Sequence, residues 1–88
     1  MTITVHSTPS CVQCKATDRH TNSKGIPTEH VDLSENLDLL AAFKERGYSQ
    51  APVVTVTDDD GVEIDIWTGF RPDKLDEHAD SVRELASV

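Results

Sequence analysis

The chain has 88 residues, which leaves room for one domain, residues 1–88, and not for two. Its 36% apolar and 27% charged residues are typical of a soluble domain with a modest core. The net charge of −8 argues against a nucleic-acid partner, because a phosphate backbone must be met by clustered basic residues and the eight lysines and arginines here are scattered. No apolar run approaches the ~18 residues of a membrane span.

The first half of the chain alternates between strand and helix patterns. Residues 2–6 alternate apolar and polar side chains, which predicts a strand. A helix is predicted from Cys11 to about Ser23, ended by Gly25 in a left-handed conformation. The best members of its weak apolar stripe are Val12, Ala16 and His20. A short strand, residues 28–33, follows.

A second helix comes next, capped by Ser34 or Asn36 and ended by Gly47. Its helically spaced apolar positions are Leu37, Leu40, Ala41 and Phe43. Residues 52–57 are rich in β-branched side chains and predict a buried strand. Residues 58–61, DDDG, predict a turn into a further strand over residues 62–67.

Pro72 suits the first turn of a closing helix. The apolar stripe of that helix comprises Leu75, Ala79, Val82 and Ala86. The element order is therefore β-α-β-α-β-β-α. This order predicts an α/β fold, a four-stranded mixed sheet with helices on both faces.

The chain has two cysteines, Cys11 and Cys14, in a single C-x-x-C at the junction of the first strand and the first helix. The unpaired N–H groups and the dipole of a helix N-terminus favour a thiolate at Cys11. Cys14 lies about one turn further along the same face, close enough to resolve a mixed disulfide formed at Cys11. A C-x-x-C in this context is typical of thioredoxin-like dithiol exchange.

A zinc site is the main alternative for the cysteine pair. Structural zinc needs four ligands, and the chain has neither a second C-x-x-C nor a closely spaced pair of histidines.

The N-terminal segment lacks the basic start and long apolar run of a secretory signal, so a cytoplasmic protein is expected. The reducing cytosol would not preserve a permanent Cys11–Cys14 staple.

Pro52 stands directly before the third predicted strand. In a thioredoxin-like sheet a cis proline here would lie against the C-x-x-C. It would expose the backbone of Ala51 as an edge for an extended substrate peptide. The alternative is a trans proline that merely ends a loop.

Three motifs together, CVQCKATDR, GYSQAPVV and WTGFRPDKL, strongly resemble the NrdH-redoxins, small glutaredoxin-like proteins with the thioredoxin fold. The resemblance extends over about residues 2–80. It implies that Cys11 is the nucleophile, Cys14 the resolving thiol, and Ala51 and Pro52 the substrate-facing cis-proline loop. It also implies a supporting motif beside the active site, formed by Trp67, Thr68, Gly69, Phe70, Arg71 and Pro72. Trp67 is expected to be mostly packed with its N–H bonded, and Arg71 to bond a loop backbone through its guanidinium.

The resemblance further implies a monomeric electron carrier for the large subunit of class Ib ribonucleotide reductase. Thioredoxin reductase would re-reduce it with electrons from NADPH, and no cofactor or metal would be bound. The chain departs from the family pattern at His6, Thr21, Thr28 and Thr68. None of these departures affects the cysteines, so they bear on fine specificity and not on the chemistry. A hydroxyl survives at Thr68, whereas Thr21 and Thr28 replace apolar residues and would weaken the core.

Two other functions remain open at this point. A general glutaredoxin would use glutathione, but bulky Phe70 and Arg71 occupy the segment where glutaredoxins bind its carboxylate. Lys15 and Arg71 are few cations for such a cleft. A non-enzymatic zinc or scaffold module is the third possibility.

Overall fold

A computed structural model describes residues 1–9 and 11–86 of the chain, with side chains described up to residue 82. The elements follow the predicted order. The strands are β1 (Thr2–Ser7), β2 (Glu29–Asp32), β3 (Val53–Thr57) and β4 (Glu63–Thr68). The helices are α1 (Val12–Lys24), α2 (Leu37–Glu45) and α3 (Pro72–Ala86), with a short 3-10 helix at Leu33–Glu35 before α2.

The four strands form one mixed sheet in the order β2-β1-β3-β4. β1 pairs with β2 in parallel and with β3 antiparallel, and β3 pairs with β4 antiparallel. The predicted α/β fold is confirmed. The turn between β3 and β4 is a loop over residues 58–62, closed by a backbone bond from Asp58 N to the Val62 carbonyl (2.9 Å) and by Gly61 at φ +82°.

The sheet separates two apolar clusters, because successive side chains of a strand point to opposite faces. The larger cluster joins the sheet to α3 and contains Ile3, Val5, Ile26, Val54, Val56, Trp67, Leu75, Ala79 and Val82. The smaller one lies under α2 and contains Leu33, Phe43 and Val53. The predicted stripe of α3 is buried as far as Val82, and the side chain of Ala86 is outside the described part.

The predicted buried faces of α1 and α2 were partly wrong. Val12 is 79% exposed, and α1 buries Cys14, Thr17 and Thr21 instead. The two threonine hydroxyls are satisfied by the helix itself: Thr17 donates to the Gln13 carbonyl (2.9 Å) and Thr21 to the Asp18 carbonyl (3.0 Å). Small hydroxyl side chains can therefore form the buried face of this helix without an apolar stripe.

In α2 the buried side chain is Phe43, while Leu37 is 66% exposed. Asn36 occupies the N-cap position but makes no side-chain cap bond. The side chain that caps this region is Asp32, which accepts from the Ser34 N–H (2.9 Å) at the start of the 3-10 helix. The predicted caps of Ser34 or Asn36 missed this inserted turn. At the end of α1, the left-handed Gly25 (φ 66°) is confirmed.

Candidate active site

The two cysteines lie at the start of α1, and their Sγ atoms are joined in a disulfide with Cα atoms 5.2 Å apart. Cys11 is the N-cap residue, with extended backbone angles (φ −91°, ψ 111°), so it precedes the helix rather than beginning it. Its Sγ accepts a hydrogen bond from the Cys14 N–H at 3.0 Å. This N–H is one of the donors that a helix leaves unpaired at its N-terminus, and it favours negative charge on the sulfur.

The two sulfurs differ in access. Cys14 is 4% exposed, whereas Cys11 is only partly buried and stands beside the exposed Val12. An incoming disulfide therefore reaches Cys11 first. Cys14 is placed behind it, within bonding distance of the Cys11 sulfur.

The Ala51–Pro52 peptide bond is cis, as the sequence analysis expected. Pro52 is fully buried at the start of β3, and Ala51 is partly exposed before it. Ala51 forms no backbone hydrogen bond with any other described residue. Its N–H and C=O are therefore available to an extended chain laid alongside, which is the way a peptide adds to a sheet edge.

The segment after β4 connects the proline loop to the cysteine helix. The Gly69 N–H donates to the Pro52 carbonyl at 3.0 Å, and the Phe70 N–H donates to the side-chain oxygen of Gln13 at 3.0 Å. Gln13 lies between the two cysteines. Two adjacent backbone N–H groups thus hold the two halves of the site in one geometry.

Gln13 is the functional position that the sequence analysis missed. Its partner is a backbone N–H 57 residues away, so nothing local indicates the contact. Gly69 has φ +79°, and a Cβ there would stand 2.7 Å from the Gln13 side-chain oxygen. A glycine fits this position for two reasons, the left-handed backbone and the close approach of Gln13.

The other residues of the supporting motif lie around this connection. Thr68 ends β4 opposite Val53, Phe70 is 37% exposed, and Pro72 is the first residue of α3. Arg71 was expected to bond a loop backbone. Its guanidinium instead pairs with Asp73, two residues along (3.0 and 3.2 Å), and this pairing raises the Arg71 pKa above its ordinary value.

Trp67 is packed as expected, with 5% of its surface exposed. Its ring stacks on the imidazole of His78, with centroids 6.1 Å apart and planes 4° from parallel. The expectation that its N–H would be bonded was wrong, because Nε1 is buried and has no partner among the described residues. The role of Trp67 in the structure is therefore one of packing.

His6 lies on β1 next to the start of β3. It is 6% exposed, its ring meets the edge of Phe43 with centroids 4.9 Å apart, and its Nδ1 is 2.8 Å from the Val53 carbonyl. A carbonyl only accepts, so Nδ1 carries the proton and donates it. Burial lowers the pKa of His6, against the Val53 bond and the charge of Glu63, which act to raise it.

The remaining histidines pair with carboxylates: His20 with Asp76, His30 with Asp18, and His78 with Asp65. Within the described part of the chain, one group of side chains could hold a cation: Asp65, Glu77 and His78, whose ligand atoms lie within 4.8 Å of one another. Lys74 Nζ already contacts Asp65 Oδ2, the oxygen that pairs with His78, at 3.2 Å. This ammonium group competes with any cation there.

None of the helices, over the residues described, is both long and apolar enough to cross a membrane.

Comparison with known proteins agrees with this geometry. Residues 3–62 match the glutaredoxin family. The glutaredoxin-like protein NrdH of Salmonella typhimurium is 36% identical over 75 residues, and that of Escherichia coli K12 is 33% identical, each alignment covering 85% of both chains. A prophage-derived thioredoxin-like protein of Bacillus subtilis, YosR, is 32% identical over 69 residues, covering 78% of this chain and 82% of YosR.

Among solved structures, NrdH-redoxin from Escherichia coli superposes with a TM-score of 0.74 at 32% identity, covering 88% of this chain and 93% of that one. Thioredoxin 1 of Thermosipho africanus superposes with a TM-score of 0.63 at 19% identity over the full length of both chains, a likeness of fold alone. The chain belongs to the glutaredoxin family, as a thiol–disulfide oxidoreductase of the NrdH glutaredoxin-like type.

Proposed function

We propose that the protein is a cytoplasmic electron carrier that reduces the large subunit of a class Ib ribonucleotide reductase and is itself re-reduced by thioredoxin reductase, with NADPH as the electron source. The observation that carries the proposal is the placement of Cys11. Its sulfur caps a helix, accepts the Cys14 N–H at 3.0 Å and is the more exposed of the pair. The similarity to NrdH proteins supports the type of redoxin, and the choice of partners follows from the resemblance of the three motifs to the NrdH-redoxins.

The exchange runs in two steps that conserve atoms and electrons. The Cys11 thiolate attacks one sulfur of the target disulfide, so a mixed disulfide forms and the other target sulfur leaves as a thiolate, which takes up a proton. Cys14 then loses its proton and attacks the Cys11 sulfur. The Cys11–Cys14 disulfide forms, the second target thiol is released, and two electrons have passed to the target.

Each structural part has a role in this sequence. The Cys14 N–H stabilises charge on the Cys11 sulfur during attack. The open backbone of Ala51 aligns the target segment beside that sulfur. The bonds from Gly69 to Pro52 and from Phe70 to Gln13 keep the proline loop and the helix at a fixed separation. Such prior positioning lowers the entropic cost of the reaction.

The electrostatics favour a protein reductant over free glutathione. The tripeptide is anionic and the chain carries −8. Of the cations expected to hold it, Arg71 is paired with Asp73, which leaves the exposed Lys15. The solved Escherichia coli relative is described as having a thioredoxin-like activity profile, which points in the same direction.

The test compares two electron sources on one preparation of oxidised protein, followed by NADPH absorbance. Thioredoxin reductase should reduce the Cys11–Cys14 disulfide quickly, and millimolar glutathione with glutathione reductase should do so poorly. The Cys11→Ser protein is the blank in both assays. A faster glutathione route would contradict the proposal and leave a general glutaredoxin. A second assay tests the target: the reduced protein should support nucleotide reduction by a class Ib reductase.

A further inference from the structure

A cavity of about 240 Å³ lies beside Ala51, on the α2 side of the sheet. Its apolar part is formed by Leu33, Leu40 and Val53, and Lys44 and Tyr48 line it from the end of α2 and the turn that follows. Small-molecule sites usually measure ~300–1,000 Å³. This cavity is therefore sized for one or two side chains of a chain bound at Ala51.

Lys44 is the charged residue of the cavity lining. Its ammonium group forms no hydrogen bond or ion pair with any described residue, whereas its backbone carbonyl accepts from the Gly47 N–H. Arg46, two positions further on, is different: it makes two bonds to Glu63 (2.7 and 3.2 Å) and lies 5.4 Å from the centre of the Tyr48 ring. The Arg46 charge is thus neutralised and Tyr48 is held as a wall, while the Lys44 ammonium remains available in a chain of net charge −8.

We propose that this cavity receives an acidic side chain of the target segment, close to the cysteine that Cys11 attacks, and that Lys44 is its ionic contact. Two observations carry the inference. The cavity is continuous with Ala51, whose free backbone groups can pair with an extended target chain. Its unpaired cation complements a carboxylate. The inference rests on the proposed dithiol function and adds a substrate class, an acidic extended segment.

Lys44 also lies in the last turn of α2, where a cation stabilises the helix dipole. The experiment must therefore read out something that a purely structural lysine would not change. The probes are acetylated, amidated peptides that contain a C-x-x-C disulfide with Glu, Gln or Lys next to either cysteine. Dithiothreitol-reduced protein reacts with each peptide in a single turnover at 0.15 M salt, with acid quench and mass spectrometry.

We expect the Glu peptide to react about threefold faster than the Lys peptide for at least one placement, the ratio typical of an exposed ion pair. At this salt concentration the net charge of the protein is screened beyond ~8 Å, so the preference reports a local contact. Lys44→Gln should bring the ratio close to one, whereas Lys44→Arg, which keeps the positive charge, should retain the preference for the Glu peptide. Arg19→Gln is the matched control, because Arg19 is exposed, its side chain has no partner among the described residues, and the substitution removes the same charge.

Equal rates for Glu and Lys peptides in the unaltered protein, or a preference that survives in Lys44→Gln, would overturn the inference while leaving the dithiol chemistry intact. Oxidised glutathione reacting faster than every peptide, with the advantage lost in Lys44→Gln, would also overturn it and make the cavity a glutathione site. Failure to reduce any of these disulfides would instead refute the proposed function, and the inference with it.

Discussion

Replacing Gly69 by alanine tests the connection between the proline loop and the cysteine helix. The residue has φ +79°, and an added Cβ would meet the Gln13 side-chain oxygen at 2.7 Å. The left-handed backbone alone costs a residue with a Cβ about 1–2 kcal/mol. Gln13 can swing away, but its bond to the Phe70 N–H is then lost, which adds about 0.5–1.5 kcal/mol. The expected total is a loss of about 1.5–3.5 kcal/mol of unfolding free energy.

Gly25→Ala is the matched control. Gly25 also has a positive φ (+66°), but an added Cβ there meets nothing within 4 Å, so only the backbone cost applies. Urea unfolding of the two variants, each with and without Gln13→Ala, isolates the Gln13 contribution. In the Gln13→Ala background the two glycine substitutions should cost the same. Gly69→Ala no more destabilising than Gly25→Ala in the unaltered chain would refute the bridging role of Gln13.

Three further predictions follow from single side chains. Burial lowers the pKa of His6 in the folded chain. Between the ordinary pKa near 6.5 and this lower value, the unfolded chain binds a proton that the folded chain does not. Stability should therefore fall as pH drops from 7 towards the folded pKa. His6→Phe should reduce that slope in unfolding curves measured across this range. Thr21→Val should raise the unfolding free energy by about 0.5–1 kcal/mol, because Thr21 is buried and its hydroxyl bonds only a carbonyl of its own helix. Arg71→Ala should leave the thermal midpoint unchanged, because the described bonds of the guanidinium go to the nearby Asp73 and not to the loop backbone. A large loss of stability would show that Arg71 stabilises the loop through contacts other than its pair with Asp73.

The parts of the fold that were predictable are those governed by local chemistry. The β-branched run of β3 and the glycine that ends α1 behave as their sequences indicate. The buried face of α1 was missed because it consists of Cys14 and of two threonines, Thr17 and Thr21, whose hydroxyls are hydrogen-bonded within the helix. A hydrophobic stripe carries no information about such a face.

The candidate site divides in the same way. Cys11 and Cys14 were recognisable because their C-x-x-C lies at a predicted strand–helix junction. The cis bond was expected only because Pro52 precedes a strand of a thioredoxin-like sheet, since the proline by itself left a trans bond open. The role of Gln13 was not predictable, since it depends on the distant Phe70 N–H. The pairing of Arg71 with Asp73 was missed for a different reason. An arginine can bond either a backbone or a carboxylate, and its surroundings decide between them.

The central claim, that Cys11 attacks and Cys14 resolves, is tested most directly by trapping a disulfide substrate with single-cysteine variants. Cys14→Ser should accumulate a mixed disulfide through Cys11, seen as a stable adduct by mass spectrometry and released by dithiothreitol. Cys11→Ser should form little adduct, because Cys14 is 4% exposed and behind the helix N-terminus. Efficient trapping by Cys11→Ser together with none by Cys14→Ser would contradict this assignment of the two sulfurs.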